Sequence, residues 1–457
     1  MIYSDDETII AQCTPQGSGA IALLRISGST AVTIACALAE LPGNKKLSEQ
    51  ETHTVHYGWV IDKLGNHIDQ VMFIVMRAPR TFTGQDVVEI TCHNNPFLID
   101  LIIHEALLRG ARLAQPGEFT RRAFSNGKID LVQAESINEL IHAQTQMALK
   151  KALAQLEGSF SHWIARIEKS LITILAWCEA SFEFLDEERD FGEHIKNTIA
   201  QVLTNIATCK KVFDAQQNIR NGIRIALIGS VNAGKSSLFN ALLQQKRAIV
   251  APIAGTTRDS IEAGLYRNGN YWTLIDTAGL RQTADTIEQE GIKRSLEEAQ
   301  RADIILFVVD SSQALTVTEQ DVYQKISTDF AHKIIMVNNK IDLVVPNPTH
   351  HYQTNTVNVS ALTGYNCAAL ETEIEAKITQ LFAQIESPFL LNQRQHNLLI
   401  GLENKLIIIQ GMLADTVHYE LISYHLRDAL EQISELTGKT ISEGAIDMVF
   451  KEFCVGK

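Results

Sequence analysis

The sequence has no cysteines paired as C-x-x-C. Its seven cysteines stand apart at positions 13, 36, 92, 178, 209, 367 and 454, a scatter that argues against a disulfide framework or a zinc ribbon and fits a reducing, cytoplasmic setting. Also missing is any uncharged apolar run long enough to cross a bilayer. The opening MIYSDDETII carries acids where a signal peptide would carry basic residues, so a soluble chain with no membrane partner is expected. Positive charge is not in excess: 40 Lys and Arg face 53 Asp and Glu, a net charge of -13. Indiscriminate nucleic-acid binding rests on cations releasing counterions from phosphate and is therefore disfavoured; any RNA contact has to use a local basic patch. Internal repeats and low-complexity tracts are absent too. The closing EFCVGK places Cys454 four residues from the end, but VGK fits a prenylation box poorly.

What is present is ordinary for a folded chain, with 45% hydrophobic and 20% charged residues, and 457 residues suggest two or three cores. Up to about Arg109 short β-type runs (TIIAQCT, GAIALLRIS, HTVHYGWVI, QVMFIVMR, DVVEITCH) alternate with helical runs after Ser27 and Pro96, and a turn at DKLGN separates two of the strands. From about Leu131 to Glu183 apolar residues recur at three- and four-residue spacings without proline, as in long packed helices. From Arg224 four strand-like runs (RIALIGS, TLIDTAG, DIILFVVD, KIIMVNN) are separated by helical stretches, the pattern of a parallel α/β sheet. Helix returns near Ser387. The expected fold is thus an N-terminal α+β domain (1–120), a helical domain in two parts (121–220 and 381–457) and an inserted P-loop domain with a parallel sheet flanked by helices (221–380).

The inserted domain carries the chemistry. GSVNAGKS at 229–236 follows a strand and opens a helix, the setting of a phosphate-binding loop. There Asn232, Ala233, Gly234, Lys235, Ser236 and Ser237 are candidate nucleotide contacts: backbone N–H groups curl round the phosphates, Lys235 reaches the β/γ oxygens and Ser236 ligates magnesium. Asp276, Thr277, Ala278 and Gly279 follow another strand and put a carboxylate on the magnesium shell and an N–H near the γ-phosphate. Asn339, Lys340 and Asp342 end a third, where the Asp342 carboxylate accepts both N–H donors of a guanine edge and so selects GTP over ATP. Ser360, Ala361 and Leu362 close over the base. The place where Ras-type proteins keep a water-orienting glutamine holds Leu280, which cannot direct water, so the catalytic group has to come from elsewhere.

The P-loop asparagine, the G-T-T-R-D element within VAPIAGTTRD at 250–259, the run from TIIAQCTPQGSGAIALLRISG through PGEFTRRAFSNGKIDLVQAESINELI and the closing FCVGK together resemble the tRNA-modifying GTPase family MnmE (TrmE) over essentially the whole chain. The resemblance implies a G domain inserted in a helical domain, an N-terminal domain that dimerises and binds 5-formyltetrahydrofolate or a related reduced folate, and an FAD-containing MnmG-type partner forming a heterotetramer or larger complex. The implied activity is a potassium-activated GTPase cycle that drives addition of a carboxymethylaminomethyl-type group at C5 of the wobble uridine of certain tRNAs.

Carried over residue by residue, the resemblance implies that Asn232 holds potassium with main-chain oxygens of Ala251, Ile253 and Thr256, while Ser236 and Thr257 hold magnesium. Pro252, Ala254 and Gly255 complete that nucleotide-contacting segment, and Glu288 orients the water. Taken by itself, Glu288 reads as a solvated carboxylate. Arg25, Glu89 and Lys128 match the folate contacts, though each taken alone reads rather as a surface charge or a local ion pair. The tail is implied to return to that site, with Lys457 among the contacts and Cys454 as a functional thiol near the one-carbon unit; without the resemblance it is a fraying end. Two departures stand out: HNNP at 93–96 where the family commonly has HGGP, and TPQGSG at 14–19 without the usual arginine. The rival reading is a ribosome-assembly GTPase of the Era or EngA type, but neither a KH-type GXXG module nor a second G domain is present.

Overall fold

The structure is a computed structural model and describes residues 6–183, 191–210, 213, 220, 222–230, 232–244, 261–276, 296–313, 317–343, 356–383, 388–413 and 418–457. The chain divides into two compact units, one formed by Met1–Asn138, Ala154–Leu203 and Asn397–Lys457, the other by Glu139–Leu153 and Thr204–His396.

The first unit is built on strands β1 (Ile9–Gln12), β2 (Ile21–Ser27), β3 (Ala39–Glu40), β4 (Thr54–Ile61), β5 (His67–Met76), β6 (Val87–His93) and β7 (Arg112–Leu113). They form one sheet in the order β3-β4-β5-β6-β2-β1-β7, antiparallel except where β1 meets β7. Period-two alternation sends Leu24, Ile26, Val71, Phe73, Val88 and Ile90 to the face packed on helices α1 (Ala31–Leu38) and α2 (Pro96–Leu108). Arg25 and Glu89, in register across β2 and β6, point to the other face. There helix α3 (Glu118–Ser125) seats Phe119 against Ile9 and Ala11. The β4–β5 turn forms as its sequence dictates: the Asp62 carboxylate accepts from the N–H groups of Leu64 and Asn66, both at 2.8 Å.

Helical segments complete this unit. Helix Ser159–Glu183 packs on helix Tyr419–Thr437, with the pairs Arg427–Glu179 at 2.9 Å and, just past the second helix, Lys439–Glu168 at 2.7 Å. The helical stretches on either side of the inserted domain therefore come together, because each leaves an apolar face that neither buries alone. The last helix, Glu443–Lys451, packs Phe450 on Leu131 and Ala134, and Phe453 just beyond it joins the same cluster.

The second unit holds β8 (Ile223–Gly229), β9 (Ile261–Arg267), β10 (Asn270–Asp276), β11 (Ile304–Asp310), β12 (Ile334–Asn339) and β13 (Thr356–Asn358), in the order β13-β12-β11-β8-β10-β9. Every pairing is parallel except β9–β10. Helices cover both faces: Ile225 and Leu227 pack with Leu238 and Leu370, while Ala226 and Ile228 pack with Ala299 and Ile326. β11 is buried along its whole length, which is why its sequence is a continuous apolar run without alternation.

Strands β9 and β13 go beyond the four runs visible in the sequence. β9 is an antiparallel edge strand returned by the two-residue turn Asn268-Gly269, both at positive φ (44° and 81°), as a type I′ hairpin demands. Residues Glu139–Leu153 belong to this unit rather than to the helical one. The Gln146 N–H donates to Gly269 O (2.7 Å), the Tyr271 N–H donates to Gln144 O (2.9 Å), and Ala148 enters the sheet core.

Candidate functional site

In the second unit the carboxyl ends of β8, β10, β11 and β12 lie on one edge of the sheet, and the order reverses at β8, so the loop leaving β8 opens at the topological switch point. That loop is the glycine-rich segment. Gly229 passes so close to Val308 O that a Cβ would collide with it. Lys235, at the start of helix Lys235–Gln244, turns its ammonium back into the loop and donates to Gly229 O (2.8 Å) and Ser230 O (2.7 Å). Burial pushes the Lys235 pKa down, and the nearby Asp276 carboxylate works against that fall. Asn232 is exposed at φ 63°, and Ser236 and Ser237 are exposed on the first turn of the helix.

Asn339 ties three motifs together. Its side-chain amide donates to Ala233 O (2.9 Å) and its carbonyl oxygen accepts from the Ala361 N–H (3.0 Å). At Gly234 (φ 88°) a Cβ would collide with the Asn339 amide, so only glycine lets the two segments close. Ser360 is buried and its hydroxyl accepts from the Thr363 N–H (3.2 Å), while Leu362 and Asp342 stand exposed at the rim. Asp276 is buried at the end of β10. The hydroxyl of Ser236 and the carboxylate of Asp276 are hard oxygen donors, the set that suits magnesium. Ala251, Pro252, Ile253, Ala254, Gly255, Thr256, Thr257, Thr277, Ala278, Gly279 and Glu288 lie outside the described residues.

One side chain beside these motifs escaped the sequence reading. Asp310 ends β11 and accepts from Lys340 Nζ at 2.6 Å. Its signal was available as a carboxylate closing the apolar run IILFVV, at the same strand end as the other motifs.

In the first unit Arg25 donates through Nε to Glu89 Oε1 at 2.8 Å and stands 5.4 Å from the centre of the Phe119 ring. The tail comes to this pair. Gly456 O accepts from Arg25 Nη1 (3.4 Å), Cys454 O from the Gly117 N–H (3.2 Å) and Lys457 O from the Phe119 N–H (3.1 Å). Gly456 has φ 92°, and a Cβ there would sit 2.6 Å from Gln12 O and 2.8 Å from Cys13 Cα. The structure thus unites Arg25, Glu89, exposed Cys454 and Lys457. It also adds Cys13, whose thiol is pushed up by burial against the opposing pull of Arg25. Lys128 donates to Pro79 O at 2.9 Å. The two departures meet: the Asn94 amide donates to Gly17 O (2.8 Å) and Asn95 caps α2 by accepting from the Phe97 N–H (2.9 Å).

Comparison with known proteins covers the same ground. The family described as MnmE helical domain matches residues 131–454, and that described as GTP-binding protein TrmE N-terminus matches residues 8–128. A tRNA modification GTPase MnmE from Fervidobacterium nodosum is 37% identical over 99% of this chain and 98% of its own. Its namesake from Symbiobacterium thermophilum is 38% identical over 99% of this chain and 100% of its own. Among solved structures, the G domain of the T. maritima FeoB iron transporter is 26% identical over 34% of this chain and 98% of its own, at a TM-score of 0.27. With both family matches and near-complete coverage by these relatives, the chain belongs to the MnmE (TrmE) family of tRNA modification GTPases.

Proposed function

We propose that this chain is a potassium-activated GTP hydrolase that acts as a homodimer in the cytoplasm. With an FAD-containing MnmG-type partner it modifies the wobble uridine of certain tRNAs, adding a carboxymethylaminomethyl-type group at C5. GTP hydrolysis is the activity its family is named for. The observation that carries it to particular residues is the junction at Asn339, which holds the P-loop, the N-K-x-D segment and the Ser360–Leu362 segment in one place. No helix among the described residues is long and apolar enough to cross a membrane.

In this reading the loop amides from Asn232 to Ser237 cradle the phosphates, Lys235 exchanges its two carbonyl partners for phosphate oxygens, and Asp342 reads the guanine edge. Ser236, Thr257 and Asp276 hold magnesium, which when bound draws charge from the phosphates. Asn232 and the main-chain oxygens of Ala251, Ile253 and Thr256, which lie outside the described residues, are the proposed potassium ligands. Asn232 suits that part because its side chain is exposed within the loop, at φ 63°. A cage of oxygens spaced for potassium grips the smaller sodium poorly. GTPase activity is therefore expected to rise with potassium and not with sodium at equal ionic strength, and Asn232→Ala is expected to lose that preference. Equal rates for the wild-type dimer in the two salts, at saturating GTP and magnesium, would remove the potassium assignment.

Arg25, Glu89, Lys128 and Lys457 are proposed to bind a reduced folate, with Cys454 beside its one-carbon unit. Because Arg25 and Glu89 bond each other, they meet the ligand as one unit rather than at its opposite ends. Removing a charge-assisted contact costs about 1.5–3 kcal/mol, so Lys128→Ala is expected to weaken 5-formyltetrahydrofolate binding by roughly tenfold or more. Calorimetric titration checks this. Unchanged affinity in both Lys128→Ala and a chain lacking residues 454–457 would displace the site.

A further inference from the structure

We propose that Asp310 is a positioning residue for guanine-nucleotide affinity, fixing the Lys340 side chain so that its methylene stem lies ready against the face of the guanine ring. The inference rests on the guanine-nucleotide reading above and deepens it by adding a residue outside all of its motifs.

Asp310 and Asn339 are register partners across β11 and β12, which places Lys340, the next residue, diagonally opposite the Asp310 carboxylate. Both oxygens of the Asp310 carboxylate are engaged. Asp310 Oδ2 takes Lys340 Nζ at 2.6 Å, and Oδ1 takes the Ser312 N–H at 2.9 Å and the Ser312 hydroxyl at 2.6 Å. The carboxylate is therefore held from behind by Ser312 while it holds the ammonium in front. The Ser311 N–H donates to Asn339 O (3.0 Å), which locks the two strand ends together. Lys340 itself has φ 65°, a left-handed conformation in which a non-glycine residue persists only when its surroundings impose it. Burial acts to raise the Asp310 pKa, but the hydrogen bonds from Lys340 and Ser312 outweigh it and leave the group below its ordinary value, so it is anionic at neutral pH.

A free lysine side chain has four rotatable bonds and loses rotamer entropy when ordered. Here the ammonium is tethered by a carboxylate of the protein itself, so the stem is laid out between Cα and Nζ. Guanine then needs only to settle on it while the exposed Asp342 reads its edge. The tether also neutralises Lys340, which presents a hydrocarbon face to the base rather than a hydrated charge. This contribution is the same for the di- and triphosphate and for the transition state, since the base does not change during hydrolysis.

The test uses the full-length chain and a fluorescent GDP analogue. Asp310→Asn keeps the Ser312 contacts but removes the charge that holds Lys340. It is expected to raise the Kd for GDP and GTP alike by about tenfold, with kcat at saturating GTP retained. Ser312→Ala, a smaller lesion, is expected to give the same pattern at about threefold. The decisive arm is the pair with Lys340→Met, which keeps the stem and drops the ammonium: Asp310→Asn added to it is expected to change Kd no further. An equal Kd in Asp310→Asn and wild type, an additive loss in the double variant, or a loss of kcat with Kd unchanged overturns the assignment. A wild-type chain that binds no guanine nucleotide refutes the functional reading instead, which keeps the two failures apart.

Discussion

Lys235→Ala is expected to lower GTP turnover by about 10²–10³-fold, the cost typical of removing one donor aimed at a developing negative charge. The geometry shows how this lysine is held. Its ammonium is buried within the loop curve and already directed at it, with Gly229 O and Ser230 O at 2.8 and 2.7 Å. Those two carbonyls are the weaker partners, neutral oxygens that phosphate oxygens replace when GTP enters. Alanine removes both the phosphate contact and the tether to the loop carbonyls, so GTP affinity is expected to fall together with kcat. Single-turnover phosphate release, with nucleotide titration alongside, separates the two losses. Turnover within about threefold of wild type would take Lys235 out of the phosphate site.

Glu288→Ala is expected to slow hydrolysis by about 10²–10⁴-fold while GTP affinity stays nearly intact. The residue lies outside the described residues, so the expectation stands on the chemistry of its neighbourhood in sequence. Leu280 occupies the place where Ras-type proteins orient the attacking water, and an aliphatic side chain can neither accept a proton nor aim a lone pair. A carboxylate that positions water touches nothing in the ground-state nucleotide, so its loss appears in kcat and not in Kd. Undiminished single-turnover rates in the variant would reject the role, and equal losses in kcat and affinity would make Glu288 a nucleotide contact instead.

The parts of this protein legible in its sequence are those governed by neighbouring residues. GSVNAGKS demands a tight backbone curve between a strand and a helix, and the chain makes it locally. The run IILFVVD can only be buried on both faces, and every residue of β11 is. Alternation in GAIALLRIS sets Leu24 and Ile26 inward and Arg25 outward without reference to the rest of the fold. The turn at Asp62 follows from its own side chain.

What the tertiary structure alone decided depends on residues brought together from far apart, through register and packing that no local pattern encodes. β9 is a strand because β10 accepts it, and Gly264 is glycine because the Tyr271 hydroxyl fills the space of a Cβ. Residues Glu139–Leu153 read as helix of the helical domain, yet they join the inserted unit through hydrogen bonds to Gly269 and Tyr271, which only the completed hairpin presents. Arg25 meets Glu89 across two paired strands and meets Gly456 only after the last helix has docked Phe450 and Phe453 beside Leu131. Asp310 was visible as the end of a strand, but its partner Lys340 was not. The sequence specifies that both strands exist, while the parallel register of β11 on β12 places the carboxylate within reach of the ammonium.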